Sequence, residues 1–353
     1  PQFICTTNKR SMGGAYSSPM QMRSKVYQGL VESIPDQTEK VVAITGCTTG
    51  TGNVLAKTTL QKNGAVIMLN RPSVRASTAF ESLKAEFPNA KVYHVDCDLS
   101  SFSSVREAAK EVNKIAKSGL HVLCNNAGVM ANADEATGDG YDIQMQTNHL
   151  SHFLLANELM PLLEKVASQS GDARVIQMSS ISAFQPATPL DERYYGKNGG
   201  NLGGNAAGAM FNGPRWERYH QTKLANMIFN AALAAKLSAA DSRVRAIVAH
   251  PGVAATNLQV TTASHGGIGS FMAKLLFKMG GQSGEDGAAG IIRASFDPSV
   301  ANGAYLGPKD RKGKPSMDGP AVEIEIPALA AREGDRDTLW RLSEEATGGE
   351  FRV

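Results

Sequence analysis

The chain has 353 residues, 42% hydrophobic and 20% charged, so it can bury a large core and is not a disordered sequence. Its 36 basic residues nearly balance 33 acidic ones, which gives no support to nucleic-acid binding, since that needs a clustered basic face. Four cysteines are too few for a disulfide scaffold and lack metal-ligand spacing, and no apolar run nears the roughly 20 residues that span a bilayer, so we expect a soluble protein of a reducing compartment.

Residues 1–39 show no sustained hydrophobic period and carry basic, serine and glycine residues, with few acids before Glu32. We interpret them as an N-terminal extension. It is a flexible tail, the remnant of a plastid or mitochondrial targeting segment, or an arm that docks on a partner. Without a targeting role, the cytoplasm is the expected location.

From Lys40 onward, short β-branched segments alternate with helical stretches. The pattern predicts strands at 41–45, 65–69, 91–95, 121–124, 174–178, 244–249 and 303–307. It predicts helices near 52–62, 76–86, 103–117, 143–166 and 216–237. Continuous apolar strands separated by helices indicate a parallel sheet covered on both faces. The expected fold class is therefore α/β, one doubly wound domain of about seven strands over residues 40–310. A C-terminal extension, 311–353, would end with a closing helix at 335–347.

A glycine-rich turn, TGCTTGTG, runs from the end of the first predicted strand into a helix. Its glycines allow a tight turn, close approach of the backbone to a diphosphate and close packing of helix on sheet, while the helix N-terminus offers free N–H groups. In this position the motif predicts a Rossmann dinucleotide site. Its expected contacts are Gly46, Thr48, Thr49, Gly50, Thr51 and Gly52.

The end of the second predicted strand indicates which dinucleotide binds. A carboxylate here would bind the ribose 2′-hydroxyl of NAD, but the chain reads Leu69-Asn70-Arg71. The guanidinium of Arg71 could pair with a 2′-phosphate, so we predict NADP(H); otherwise Arg71 is a solvated loop charge. Asp98, after the third strand, is predicted to meet the adenine edge or, alternatively, to cap the next helix.

Three further segments complete a recognisable set. NNAG at 125–128 ends the fourth predicted strand, Ser180 follows the fifth, and Tyr219 and Lys223 lie four positions apart on one helix face. With the glycine turn, and in this order, they resemble the short-chain dehydrogenase/reductase family over about residues 40–310. The segments around Asn148 and Pro251-Gly252 match as well.

The resemblance implies a role for each matching residue. Tyr219 would be the general acid/base, whose phenol needs help because its ordinary pKa is near 10. Lys223 would supply a cation that favours phenolate and bind the nicotinamide ribose, and Ser180 would stabilise charge on the substrate oxygen. Asn148 would hold a water of a proton relay. The remaining cofactor contacts implied are Asn125, Ala127, Gly128, Pro251, Gly252 and Thr256.

Within the family, segments such as NHLSHFLLAN and YHQTKLANMIFN are most similar to retinol-dehydrogenase-like and protochlorophyllide-reductase-like members. The implied function is NADP(H)-dependent hydride transfer to or from a bulky hydrophobic carbonyl or alcohol. One alternative is double-bond reduction of the protochlorophyllide type. Enzymes with that light-driven chemistry typically keep a cysteine after the catalytic tyrosine, whereas no cysteine follows Cys124 in this chain. Another is an accessory subunit without essential turnover. Members commonly form dimers or tetramers through helices matching 143–166 and 216–237.

Two regions depart from the family pattern. The 181–218 insertion contains a glycine-rich run at 196–208, interpreted as a loose surface loop, a substrate flap or a subunit contact. In 257–283, where the family has a substrate lid, an apolar stripe has helical spacing. It would be a pocket wall, ordinary core packing or a peripheral membrane contact. The stripe consists of Ile268, Phe271, Met272, Leu275, Leu276 and Met279.

Overall fold

One sheet organises the computed structural model, which describes residues 19–185, 189–206, 211–268, 280–310 and 314–353. Within these residues the sheet has eight strands in the order β3-β2-β1-β4-β5-β6-β7-β8. The strands are β1 Val41–Thr45, β2 Ala65–Asn70, β3 Val92–Asp96, β4 Val122–Asn125, β5 Ala173–Met178, β6 Val244–Ala249, β7 Tyr305–Pro308 and β8 Ala321–Glu323.

The predicted α/β class is confirmed, with one difference at the sheet edge. Strands β1 to β7 pair in parallel, whereas β8 pairs antiparallel with β7, so the sheet has eight strands instead of about seven. β8 lies in the segment that the sequence assigned to the C-terminal extension. Three residues are too few to show a hydrophobic pattern, which is why sequence analysis missed this strand.

Helices cover both faces of the sheet, and all five predicted in the 40–310 region are present. The described helices are α1 Tyr27–Ser33, α2 Gly50–Gln61, α3 Val74–Glu86, α4 Phe102–Ile115, α5 Ile143–Met145, α6 Ser151–Ser170, α7 Pro214–Ala239, α8 Asn257–Ser264, α9 Gly284–Gly287, α10 Ala289–Phe296, α11 Ala328–Ala331 and α12 Glu333–Thr347. α12 is the predicted closing helix, and Gly348 ends it in the left-handed conformation. α1, within the N-terminal extension, was not predicted.

The sheet separates two apolar layers. One contains side chains of α4, α6, α7 and α12, and the other contains side chains of α2, α3 and α10. β2 and β5 are buried at every position because helices cover both of their faces. The chain crosses from β3 to β4 beside β1, so the carboxyl ends of β1 and β4 form the crevice where such sheets bind ligands.

α12 covers part of the surface of α6 and α7, the helices through which the resemblance implied subunit contact. The Trp340 ring centroid lies 5.3 Å from that of Phe153 and 5.9 Å from that of Phe229. Phe351 follows the helix and packs 5.0 Å from Phe153. The C-terminal extension is therefore part of the core of this chain.

The described part of the glycine-rich insertion, 189–206, is bonded to the body and is not a loose loop. Tyr194 and Tyr195 are buried in the main core. The Asp134 carboxylate accepts hydrogen bonds from the amides of Gly200 and Gly203, and the Arg215 guanidinium donates to the Gly204 carbonyl. Positions 186–188 and 207–210, including Gly208, lie outside the described residues.

Most of the apolar stripe, 269–279, also lies outside the described residues. Its first member, Ile268, is buried in an apolar cluster with Tyr219. Across the described part of the chain, no helix combines the length and apolar character needed to cross a bilayer.

Candidate active site

The glycine turn at the end of β1 has the shape that a diphosphate requires. Gly46 has a φ of 67°, a conformation that favours glycine, and a Cβ there would lie 2.8 Å from the Ala127 Cα. α2 then begins at Gly50, and its N-cap, Thr49, makes no side-chain capping bond. The first N–H groups of α2 are therefore not bonded to the Thr49 side chain and can bind an anion. This geometry fits the diphosphate of a dinucleotide.

Two asparagines hold this turn, and sequence analysis named neither as a site residue. Asn126 Nδ2 donates to the carbonyls of Thr45 and Gly46 at 2.9 and 3.1 Å, and its Oδ1 accepts from the Thr51 hydroxyl. Asn70 Oδ1 accepts from the Cys47 amide at 2.9 Å. Both lie within the quoted motifs, but only the tertiary structure shows which asparagine side chain faces the turn. Asn125 ends β4 and is fully buried.

Ser180, Tyr219 and Lys223 come together at the carboxyl end of β5. Ser180 caps a 3₁₀ turn just after β5, and its side chain is near enough to Tyr219 to lower the pKa of that phenol. Tyr219 and Lys223 lie one turn apart on α7, with Lys223 Nζ 5.7 Å from the centre of the Tyr219 ring. Lys223 Nζ also donates to the Met178 carbonyl at 3.1 Å. The three predicted residues are therefore one group.

Asn148 lies beside this group in a π-helical turn, Gln146–Leu150, between α5 and α6. Such turns are rare and often mark functional sites. Its Oδ1 accepts from the Val129 amide, and its Nδ2 donates to the Val129 carbonyl and the Thr222 hydroxyl. A Cβ on Gly128 would lie 3.0 Å from Asn148 Oδ1 and 3.4 Å from Lys223 Nζ, so these predicted residues are neighbours.

Burial shifts the pKa of both ionisable groups on α7 toward their neutral forms. Burial raises the pKa of Tyr219 to about 12, although the nearby Ser180 side chain acts in the opposite direction. Burial lowers the pKa of Lys223 to about 8. Near pH 7 Tyr219 is therefore a phenol, and Lys223 is mostly an ammonium.

The segment after β6 closes the other side of the crevice. Thr256 is the N-cap of α8, and a Cβ on Gly50 would lie 3.2 Å from the Thr256 Cβ. Gln282 Nε2 donates to the Pro251 carbonyl, and the Gly252 amide donates to His250 Nδ1. Of the predicted contacts of this segment, Thr256 thus lies against the glycine turn.

Arg71 and Asp98 lie at the rim, at the ends of β2 and β3. Arg71 is exposed and lies directly after β2. Asp98 Oδ1 accepts from the amide and hydroxyl of Ser100, while Ser101 is the N-cap of α4. The alternative interpretation of Asp98 as the helix cap is therefore wrong.

An apolar cluster surrounds Tyr219. Its buried members include Trp216, whose ring is 5.9 Å from that of Tyr219, together with Val253 and Ala255. Half-buried side chains from separate segments pack against it: Met20, Met22, Met130, Phe211, Val260, Ala263 and Met317. The acid/base candidate thus lies in a methionine-rich, water-poor environment.

Comparisons with known proteins show which family the chain is similar to. The family model for short chain dehydrogenases matches residues 40–191. Human polyprenol dehydrogenase is 32% identical over 67% of this chain and 68% of its own length. Human retinol dehydrogenase 13 is 30% identical over 72% of this chain and 71% of its own length. A crystal structure of an uncharacterized protein from Mycobacterium paratuberculosis matches with a TM-score of 0.69 at 28% identity, covering 92% of this chain and 98% of that one. The chain belongs to the short-chain dehydrogenase/reductase family of oxidoreductases.

Proposed function

We propose that this chain is an NADP(H)-dependent oxidoreductase that acts on a bulky hydrophobic carbonyl or alcohol, with Tyr219 as its acid/base. The observation that carries the proposal is the group of Ser180, Tyr219 and Lys223 inside an apolar cluster, next to a glycine turn that fits a dinucleotide. A bound nicotinamide would supply the hydride in reduction and accept it in oxidation.

The protein's own residues supply the proton chemistry. The Tyr219 phenol, neutral near pH 7, can donate its proton to the oxygen of a carbonyl that is being reduced. The Ser180 hydroxyl can hydrogen-bond the same oxygen as negative charge develops there. The Lys223 ammonium, one helical turn away, stabilises the phenolate left behind. Near pH 7 Tyr219 therefore carries the proton that reduction of a carbonyl consumes.

NADP(H) is supported by the surroundings of β2. The last residue of β2, Asn70, directs its side chain into the glycine turn, and the next residue, Arg71, is exposed. No carboxylate stands at either position, whereas the guanidinium of Arg71 has the planar donor geometry that suits a 2′-phosphate.

A hydrophobic substrate is supported by the cluster around Tyr219 and by the relatives. Apolar and thioether side chains pack around the proposed acid/base, among them Trp216, Val253 and the half-buried Met130. Two relatives carry names that refer to a polyprenol and to retinol, both long apolar alcohols. We infer a substrate of the same chemical class for this chain.

Tyr219→Phe tests the catalytic assignment. Without the phenolic proton, turnover of long-chain aldehydes should fall at least about a hundredfold, while the affinity for NADPH stays within twofold of the original. NADPH oxidation at 340 nm and NADPH fluorescence measure the two quantities. Tyr195→Phe, which changes a buried tyrosine outside this cluster, serves as the control. Retained turnover in Tyr219→Phe would refute the assignment.

Arg71→Glu tests the choice of cofactor. A carboxylate beside the 2′-phosphate would repel NADPH, so the ratio of NADPH to NADH affinities should fall at least about tenfold. Lys84→Glu makes the same charge change farther along α3 and should leave the ratio unchanged. If the ratio of NADPH to NADH affinities is the same in both variants, Arg71 does not bind the 2′-phosphate.

A further inference from the structure

The first described residues run in an extended segment with alternating burial. Met20 and Met22 are half-buried, whereas Gln21 between them and Arg23 after them are exposed. This period of two is that of an extended chain with one face on the protein. The sequence of residues 1–39 shows no sustained hydrophobic period, because four residues are too few to show one.

The inward face of this segment packs on the apolar cluster that contains the proposed acid/base. Met20 and Met22 pack against the buried cluster that contains Trp216 and Tyr219. Tyr219 itself is 3% exposed, so neighbouring side chains enclose nearly all of it. Methionine suits this position because its unbranched side chain can move between rotamers and adapt to an apolar ligand.

A buried carboxylate holds the segment in place. Asp286, in the short helix α9, accepts hydrogen bonds from the Ser24 hydroxyl at 2.6 Å and from the amide of Lys25 at 2.8 Å. The amides of Val26 and Tyr27 donate to the same carboxylate at 3.0 and 3.1 Å. Burial alone would raise the pKa of Asp286, but these hydrogen bonds outweigh it and lower the pKa. Asp286 is therefore an ionised carboxylate that accepts hydrogen bonds from each of residues 24–27.

A second anchor connects the same segment to the cofactor helix. The Tyr27 hydroxyl lies 2.9 Å from the Thr58 hydroxyl of α2. Tyr27 and Leu30 also pack against the apolar layer that contains Leu55 and Leu60 of α2. The path of residues 19–23 is thus fixed between these anchors and the Tyr219 cluster.

We propose that residues 19–27 form one wall of the substrate pocket. Met20 and Met22 contact the apolar part of the substrate, and Asp286 is the positioning residue that holds this segment in place. The inference rests on the proposed function and deepens it. The substrate class is a carbonyl or alcohol with an apolar chain long enough to extend from Tyr219 to the N-terminal segment.

The wall is tested with two aldehydes of different length, butanal and decanal, and with decanol as a binding probe for the NADPH-loaded full chain. The double variant Met20→Ser/Met22→Ser should raise the KM for decanal and the Kd for decanol about tenfold, since lost apolar contacts in a pocket have effects of this order. The KM for butanal and the affinity for NADPH should stay within twofold. The matched control is Gln21→Ser/Arg23→Ser, which changes the exposed neighbours and should leave all four values unchanged.

Asp286→Asn tests whether the Asp286 carboxylate holds the N-terminal segment in place. The change keeps the size of the side chain but removes the negative charge of the carboxylate, whose oxygens accept four hydrogen bonds. It should therefore raise the KM for decanal and leave the KM for butanal unchanged, as the methionine variant does. Its Tm is measured alongside, and the methionine variants test the wall independently if this variant does not fold.

The outcomes separate this inference from the proposed function. Unchanged decanol affinity in the double methionine variant, or equal effects on butanal and decanal, would overturn the wall. Failure of the unaltered chain to bind decanol would overturn it as well. If decanol binds and the methionine variant weakens binding, but the unaltered chain reduces neither aldehyde, the wall stands and the proposed aldehyde reduction fails.

Discussion

At Lys223, a buried ammonium lies one helical turn from the phenol of Tyr219 and donates a hydrogen bond to the Met178 carbonyl. Burial lowers the pKa of Lys223 to about 8, close enough to neutrality for the charge to change within an accessible pH range. Nearby, burial lowers the pKa of His152 to about 4, so that imidazole is neutral throughout that range. Ionisation of Lys223 should therefore be visible in the pH dependence of the reaction.

We expect kcat/KM for NADPH in the reductive direction, which reports ionisation of the free enzyme, to be level between pH 6 and 7 and to fall above about pH 8. The sign follows because the lysine is active as the cation and loses its proton as the pH rises. Lys223→Arg keeps the charge at high pH, so the decline should move upward by more than one pH unit, even if the rate is lower. A profile that declines at the same pH in both proteins would contradict this role.

At the scale of elements, the site depends on how α7 meets the turn that carries Asn148. Asp142 caps α5 through the amides of Gln144 and Met145, and its other oxygen lies 2.6 Å from the Arg218 guanidinium of α7. Both partners are buried, at 1% and 0% exposure. Arg218 precedes Tyr219, so this ion pair fixes the catalytic helix against the segment that leads to Asn148.

Asp142→Asn should lower the free energy of unfolding by about 3 kcal/mol, because it leaves the Arg218 charge buried without its partner. Urea denaturation measures the change. Lys110→Met removes an exposed ion pair with Glu107 and should change stability by less than about 1 kcal/mol. Adding Arg218→Met to Asp142→Asn should recover stability, since the unpaired charge is then gone. No recovery would show that the pair is not the cause.

At the scale of the whole molecule, described segments outside residues 40–310 pack against the sheet and its helices. Residues 24–33 pack beside α2, β8 extends the sheet edge, and α12 covers α6 and α7. Trp340 is the centre of the C-terminal contact: its ring packs against Phe153, Phe229 and Phe351, and Lys236 Nζ lies 4.6 Å above it.

Trp340→Ala should lower the free energy of unfolding by about 3 to 5 kcal/mol, the range for removing a large buried aromatic side chain. Trp340→Phe should retain most of the stability because it keeps an aromatic ring in the cluster. Both are measured by urea denaturation. A loss below about 1 kcal/mol in Trp340→Ala would show that α12 adds little to the fold.

Much of the site followed from the sequence because its motifs act locally. The glycines that turn β1 into α2 and the four-residue spacing of Tyr219 and Lys223 need only backbone geometry and helical period to be interpreted. Asn126 and Asn70 were missed for the opposite reason. Their function lies in hydrogen bonds to Thr45, Gly46 and Cys47, which depend on how neighbouring strands pair.

The sequence by itself determined the α/β class, the order of strands and helices and the group of residues around Tyr219, since hydrophobic period and short motifs carry that information. Only the tertiary structure decided that Met20 and Met22 pack on the cluster that contains Tyr219, that Asp286 holds the chain 260 residues before it, and that α12 covers α6 and α7. The physical reason is that these contacts join segments distant in the sequence. Their strength comes from burial and hydrogen bonds between side chains whose own local patterns are too short to predict a partner.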